Sequence, residues 1–130
     1  MKILPVLLLL AFPAMAQTES NPSPSKAVPV IDGGAGPCSA DFTITDNAGA
    51  PIYAATIKVH IDYGFMGVRK LDLQVGTNVD GKARFIGIPD RTKHGMLFRA
   101  WQGDREGTAF DDPANTCKAQ FTIALVKKTP

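Results

Sequence analysis

Few residues in this 130-residue chain could do covalent or proton-transfer chemistry: His60 and His94, Cys38 and Cys117, Tyr53 and Tyr63, and four serines. A serine nucleophile needs an activating base and a sharp turn to present it. Ser20, Ser23 and Ser25 instead sit in a proline-rich stretch, Ser39 follows a cysteine, and no Gly-x-Ser-x-Gly occurs. Serine hydrolysis is thereby excluded. A Cys2His2 metal site would draw on Cys38, Cys117, His60 and His94, but such ligands come in close pairs, and here tens of residues separate them. His60 reads as an outward strand position between Lys58 and Asp62, and His94 as a solvated loop residue. Carboxylates gather at Asp104, Glu106, Asp111 and Asp112. Calcium near Asp111 and Asp112 is the alternative for them, yet the EF-hand spacing is missing and turn formation and solubility account for these side chains. No metal or other cofactor is expected, and the chain reads as a non-enzyme.

Chemistry of contact is better represented. Tyr63-Gly64-Phe65-Met66-Gly67 places three large side chains at what alternation makes a hairpin tip, and Trp101-Gln102-Gly103 ends another strand. Exposed aromatics beside glycines suit stacking on sugar rings or anchoring a protein partner. The alternative is that Tyr63 and Phe65 cap one end of the core, or that Trp101 plugs it, since large apolar residues are usually buried. Tyr63, Phe65, Met66 and Trp101 are thus the candidate binding surface, and the tip, with no charge cluster beside it in sequence, predicts contacts that depend little on salt. The partner would be a protein or glycan of the cell envelope. Nucleic acid is not expected, because 14 Lys and Arg against 12 Asp and Glu leave a net charge of only +2.

These side chains need a scaffold, and period two supplies it. Phe42 and Ile44, then Ala55, Ile57, Val59 and Ile61, alternate with polar neighbours; so do Leu71, Leu73 and Val75, Ala83 and Phe85, and Cys117, Ala119, Phe121, Ile123 and Leu125. Met96–Trp101 is a sixth strand and Glu106–Phe110 completes seven. Turn signals at Asp46-Asn47-Ala48-Gly49, Asp80-Gly81, Pro89-Asp90 and Gln102-Gly103-Asp104 separate the runs. With 12 glycines and 10 prolines, and no 3.6-residue period, the pattern predicts an all-β, antiparallel Greek-key sandwich over residues 38–130. Cys38 opens the first strand and Cys117 the seventh, which alternating strand directions would bring to the same end; a disulfide is expected.

Upstream, Lys2, the apolar run Ile3–Phe12 and Ala14-Met15-Ala16 read as a signal peptide over residues 1–16, cleaved near Ala16. The product should be secreted or periplasmic, and no second stretch approaches the roughly 20 apolar residues of a membrane span. Residues 17–37, rich in Pro, Ser and Gly, predict a flexible tether, within which Val28–Ile31 could dock as an edge strand.

Two stretches, Thr45-Asp46-Asn47-Ala48-Gly49-Ala50-Pro51 running on to Ile57, and Val75-Gly76-Thr77-Asn78-Val79-Asp80-Gly81 running on to Ile88-Pro89, resemble the carboxypeptidase regulatory-like domain. That resemblance, over roughly Ser39 to Ala100, implies a transthyretin-like (prealbumin-like) sandwich, immunoglobulin-like in outline, and an accessory module in secreted or cell-envelope proteins, some relatives of which bind carbohydrate. Two departures stand out: the usual glycine before the second strand is Ala54, and Asp90–Gly95 is longer than the usual turn. Among enzymes of transthyretin-like fold, hydroxyisourate hydrolases end in Tyr-Arg-Gly-Ser, whereas this chain ends Lys127-Lys128-Thr129-Pro130. Intradiol dioxygenases hold iron with two Tyr and two His; Tyr53, Tyr63, His60 and His94 match the inventory but lack the closely spaced His-x-His pair. The expectation is therefore a secreted or periplasmic non-catalytic module for binding or structural support, with carbohydrate binding through the aromatics, or a small metalloenzyme, as the alternatives.

Overall fold

The computed structural model describes residues 18–128, so the signal peptide read from residues 1–16 lies outside the described residues. Within them the chain forms β1 (Thr18–Ser20), β2 (Val30–Asp32), β3 (Cys38–Thr45), β4 (Thr56–Tyr63), β5 (Arg69–Gly76), β6 (Lys82–Ile88), β7 (Met96–Gln102), β8 (Arg105–Asp111), β9 (Lys118–Ala124) and β10 (Val126–Lys127). A single 3-10 turn, Phe65–Gly67, interrupts them. Strands β3 to β9 are the seven alternating runs. They stack as a sandwich of a six-stranded sheet, ordered β1-β5-β4-β7-β8-β10, on a four-stranded one, ordered β2-β6-β3-β9. The chain crosses between sheets after β1, β3, β5, β6, β8 and β9, and each of the seven runs turns its apolar side to the partner sheet.

Alternation decides what lies inside. Ala40, Phe42 and Ile44 of β3, Ile57, Val59 and Ile61 of β4, and Leu73 and Val75 of β5 are buried, as are Phe85, Met96 and Phe98. Phe42 and Phe98 meet across the sheets with ring centroids 4.8 Å apart, and Phe85 lies 5.8 Å from both. Each fully buried ring contributes roughly 1.5–3 kcal/mol by leaving water. Cys38 and Cys117 are bonded, with Cα atoms 4.6 Å apart and a sequence separation of 79.

Two expectations are corrected. The sheets are mixed, not antiparallel throughout: β3 runs parallel to β9, from Ser39 opposite Lys118 to Thr45 opposite Ala124, and β1–β5 and β2–β6 are parallel too. The first and seventh of a set of alternating strands point the same way, and here they are neighbours. Nor is the segment from Thr18 to Pro37 a free tether. Thr18–Ser20 pairs with Leu73–Val75 and Val30–Asp32 with Arg84–Ile86, while Ile31 is buried. The open edges of β5 and β6 supply the backbone partners that the composition of this segment lacks. Asn78 fastens it further, its Nδ2 donating to the carbonyls of Lys26 and Ala27 at 3.1 Å each. The same buried pair, Thr77 and Asn78, organises the neighbouring turns: Thr77 Oγ1 donates to the Ile52 carbonyl and accepts from the Ala55 N–H, and Asn78 Oδ1 accepts from the N–H groups of Asp80 and Lys82.

Candidate functional site

The predicted contact surface divides into two places at opposite ends of β4. Tyr63 ends that strand opposite Arg69, bridges Thr92 and packs against the core, so it belongs to the sandwich rather than to the tip. Phe65 and Met66 lie beyond it, 84% and 73% exposed. A chain reversal this tight needs left-handed backbone, which Gly64 takes at φ 78° and Met66, unusually, at φ 54°. Hydrogen bonds from Gly67 N–H to the Gly64 carbonyl and from Lys70 Nζ to the Gly67 carbonyl, both 3.1 Å, hold the reversal in shape. The expected absence of nearby charge is corrected. The loop between β6 and β7 comes alongside, Lys93 N–H donating to the Asp62 carbonyl at 2.8 Å, and carries exposed Arg91 and Lys93.

Trp101 sits at the other end. Its partners in register are Thr56 and Glu106, and Thr56 is seven residues from Tyr63, roughly 23 Å along the strand. The indole is half-buried on the outer face of the six-stranded sheet, in a groove of about 400 Å3 with Lys58, Arg99, Arg105, Glu106 and Lys128. Lys58 and Arg99 are directly opposite each other on β4 and β7. Two like charges at such a spacing repel, and neither takes part in an ion pair among the described residues. Alternation puts Lys58 on the wet face; only the β4–β7 pairing, between residues 41 apart in sequence, puts Arg99 beside it.

One pair further along β4, His60 faces Asp72. Its Nδ1–H donates to Asp72 Oδ1 at 2.7 Å and its Nε2–H to Asp62 Oδ1 at 2.8 Å, while Lys70 Nζ reaches the same Asp62 oxygen at 2.8 Å. The hydrogen bond to Asp72 is the main reason that the imidazole pKa is raised above 6.5; Asp62 adds to it and desolvation opposes it. Asp62 is lowered in turn, chiefly by its hydrogen bond from Lys70. Two carboxylates on the two ring nitrogens thus favour the protonated imidazole on an accessible strand face. His94 is exposed in the β6–β7 loop and does not join it. Asp111, at the end of β8, is buried with Oδ2 unpartnered, and burial, then the neighbouring Asp112, raises its pKa. Asp112 Oδ1 meanwhile accepts from the Ala114 N–H at 3.1 Å, which is turn chemistry. Among the described residues no three His, Cys, Asp or Glu side chains gather as a metal site would require.

No protein-family model and no curated protein matches this sequence. Solved structures do match in fold. A 3-chlorocatechol 1,2-dioxygenase from Rhodococcus opacus 1CP superposes with a TM-score of 0.52 at 12% identity, over 91% of this chain and 69% of that one. The catechol 1,2-dioxygenase from Acinetobacter sp. ADP1 gives 0.53 at 14% identity, over 88% and 60%. At such identities the likeness is one of fold, and the chain spans only 60% of the Acinetobacter enzyme. It nevertheless corrects the expectation of a non-catalytic binding or structural module, because the sandwiches that match belong to enzymes. The iron inventory read from the sequence does not assemble. Tyr53 precedes β4 beside Gln102, whose Nε2 donates to the Tyr53 carbonyl; Tyr63 ends β4; His60 has both ring nitrogens on carboxylates; and His94 is in a separate loop. These four side chains do not fit one iron ion.

Proposed function

We propose that the protein acts on a planar aromatic acid held on the outer face of its six-stranded sheet, the Trp101 indole stacking on the ring and Lys58 with Arg99 taking the carboxylate. The observation that carries this reading is the Lys58–Arg99 pair, two cations placed opposite each other beside a half-buried indole, neither of them in an ion pair among the described residues although Asp104 and Glu106 line the same groove. An anion bound between them would turn a repulsion into two charge-assisted hydrogen bonds. His60 projects from the same face two residues from Lys58, roughly 7 Å along β4. Its proton is thus within one small molecule's length of the carboxylate position, and proton transfer is the chemistry that this face supports. The enzymes that share the fold are named for catechols, which are aromatic rings, and this is consistent with stacking on Trp101.

The resemblance to carboxypeptidase regulatory-like domains stays part of the proposal for ancestry. Ala54, where that family usually has glycine, takes φ 61°, a conformation that glycine adopts without strain. Work outside the cytoplasm is likewise proposed, supported by the disulfide and by the leader-like residues 1–16. No helix among the described residues is long and apolar enough to cross a membrane.

Trp101 is the sole tryptophan, so its emission reports the groove directly. Benzoate should change that emission saturably, benzyl alcohol at least about tenfold less tightly, and Arg99→Glu should remove the benzoate response. Catechol and glucuronate separate the demands for charge and for a flat ring. Equal affinity for benzoate and benzyl alcohol, or no saturable response to benzoate, would overturn the proposal. Any turnover of a bound hydroxybenzoate, followed by mass spectrometry, should fall on His60→Gln.

A further inference from the structure

We infer that the Gly64–Val68 turn is a docking tip for an anionic membrane surface, a role independent of the Trp101 groove. Phe65, Met66 and Val68 are 84%, 73% and 69% exposed on one narrow reversal. Large apolar side chains are rarely left so bare in consecutive positions without a partner. Around them stands a collar of cations. A Cβ added at Gly64 would meet Arg69 Cγ at 3.1 Å, and one at Gly67 would meet Lys93 Cδ at 2.5 Å, so the stems of Arg69 and Lys93 lie directly over the two glycines that shape the turn. Lys70 is fastened to the Gly67 carbonyl, and exposed Arg91 completes the ring. Asp62 is already engaged by Lys70 and His60, which leaves Asp90 as the carboxylate of the adjoining loop without an ion pair among the described residues.

Apolar bodies at the apex and lysine and arginine behind them are the arrangement that a bilayer with acidic headgroups rewards: the apex enters the acyl boundary while the cations stay at headgroup depth. A groove of about 440 Å3 between Met66, Tyr63, Pro89, Arg91 and Lys93 has room for one headgroup. A protein partner fits less well. A stable protein interface takes roughly 800 Å2 from each side, more than three side chains on a protruding turn present.

Vesicle co-sedimentation tests the idea, using phosphatidylcholine vesicles with and without phosphatidylglycerol and comparing proteins with the same N-terminus. The wild type should pellet with phosphatidylglycerol vesicles and remain in solution with phosphatidylcholine alone. Phe65→Ser with Met66→Ser should weaken binding by more than about 100-fold at an unchanged melting temperature. Arg91→Glu with Lys93→Glu should weaken it by at least about 30-fold, near fivefold for each positive charge lost. Added salt should have the same direction of effect. No pelleting with phosphatidylglycerol vesicles, or wild-type binding by the Phe65/Met66 variant, would overturn the inference, as would a tip that captures a protein while ignoring both vesicles. Should the Phe65/Met66 variant melt early, the charge-reversed variant and the two vesicle types still decide.

Discussion

On the outer face of the four-stranded sheet Arg84 stands opposite Asp41 and pairs with it, and Lys82 stands opposite Thr43 and donates to its hydroxyl at 3.2 Å. On the outer face of the six-stranded sheet the equivalent row puts Lys58 opposite Arg99. Both faces come from the same alternation and are open to solvent. The two rows differ in whether the residue across the ladder answers the charge, as Asp72 answers His60 and Lys70 answers Asp62 further along β4. A fold that needed only solubility would gain from answering it, since opposite charges across a ladder stabilise by roughly 0.2–1 kcal/mol and like charges destabilise by similar amounts. An unanswered pair beside an indole is therefore a cost that stability does not explain, and a ligand would.

The largest expected effect tests whether the two sheets are energetically separable at all. Cys38–Cys117 joins β3 to β9 inside the four-stranded sheet and closes a 79-residue separation, which the chain-entropy model values at about 4.5 kcal/mol. Reduction, or Cys117→Ser, should lower the melting temperature substantially. Because the bond acts on the unfolded chain, Trp101 emission and the far-ultraviolet signal should still melt together. Two separate transitions would mean that the six-stranded sheet survives on its own, and the faces would then have to be compared as independent units.

Next in size is a contrast along one sheet between core and tip. Phe98→Ala removes a ring with no exposed surface and should cost about 3–5 kcal/mol by denaturant unfolding. Phe65→Ala, at 84% exposure, should change stability by less than about 0.5 kcal/mol. A large loss at Phe65 would make the tip a cap on the core and remove it as a docking surface.

How much of this was legible in the sequence follows from the range of each interaction. The strands β3 to β9 could be read because each buries its own alternate residues, Phe42 and Ile44 or Val59 and Ile61, so the pattern is local. β2 could be read only as the option that Val28–Ile31 docks as an edge strand, which Val30–Asp32 does, and β1 could not be read, because both become strands by borrowing hydrogen bonds from the edges of β5 and β6. The two halves of the predicted surface parted for a related reason. Tyr63 and Trp101 both end strands, but which ends coincide is set by the antiparallel β4–β7 ladder, which alternation alone does not specify. Arg91 and Lys93 reach the tip through the Tyr63–Thr92 bridge and the Lys93–Asp62 hydrogen bond, contacts between the end of β4 and a loop that carries no period.

A second unanswered group in the six-stranded sheet gives an effect of about 1 kcal/mol and depends on pH. Asp111 is buried with one carboxylate oxygen unpartnered, and its pKa is raised above 3.8. The native state therefore holds the proton to higher pH than the unfolded chain does. The carboxyl imposes no ionisation penalty below the unfolded value; the penalty grows as pH rises towards the raised native one and is complete above it. Asp111→Asn should accordingly stabilise the protein by about 1 kcal/mol at neutral pH. The gain should vanish near pH 3, read as the difference between the two melting temperatures so that acid effects common to both proteins cancel. A gain independent of pH would move the cause from the charge to packing.

The smallest effect is the one that bears most directly on the two faces. Arg84→Glu would set a carboxylate opposite Asp41 where a pair now exists, whereas Arg99→Glu would set one opposite Lys58 where a repulsion now exists. The same substitution should thus destabilise by about 0.5–1 kcal/mol on the four-stranded sheet and stabilise by about 0.5 kcal/mol on the six-stranded one. Both changes should shrink in high salt, because all four side chains are solvent-facing. Arg99→Glu should gain stability and lose the benzoate response together, while Arg84→Glu should lose stability and leave that response intact. If Arg99→Glu destabilises, the Lys58–Arg99 row is satisfied in a way that the ladder register does not reveal, and the argument for an anion between them loses its basis.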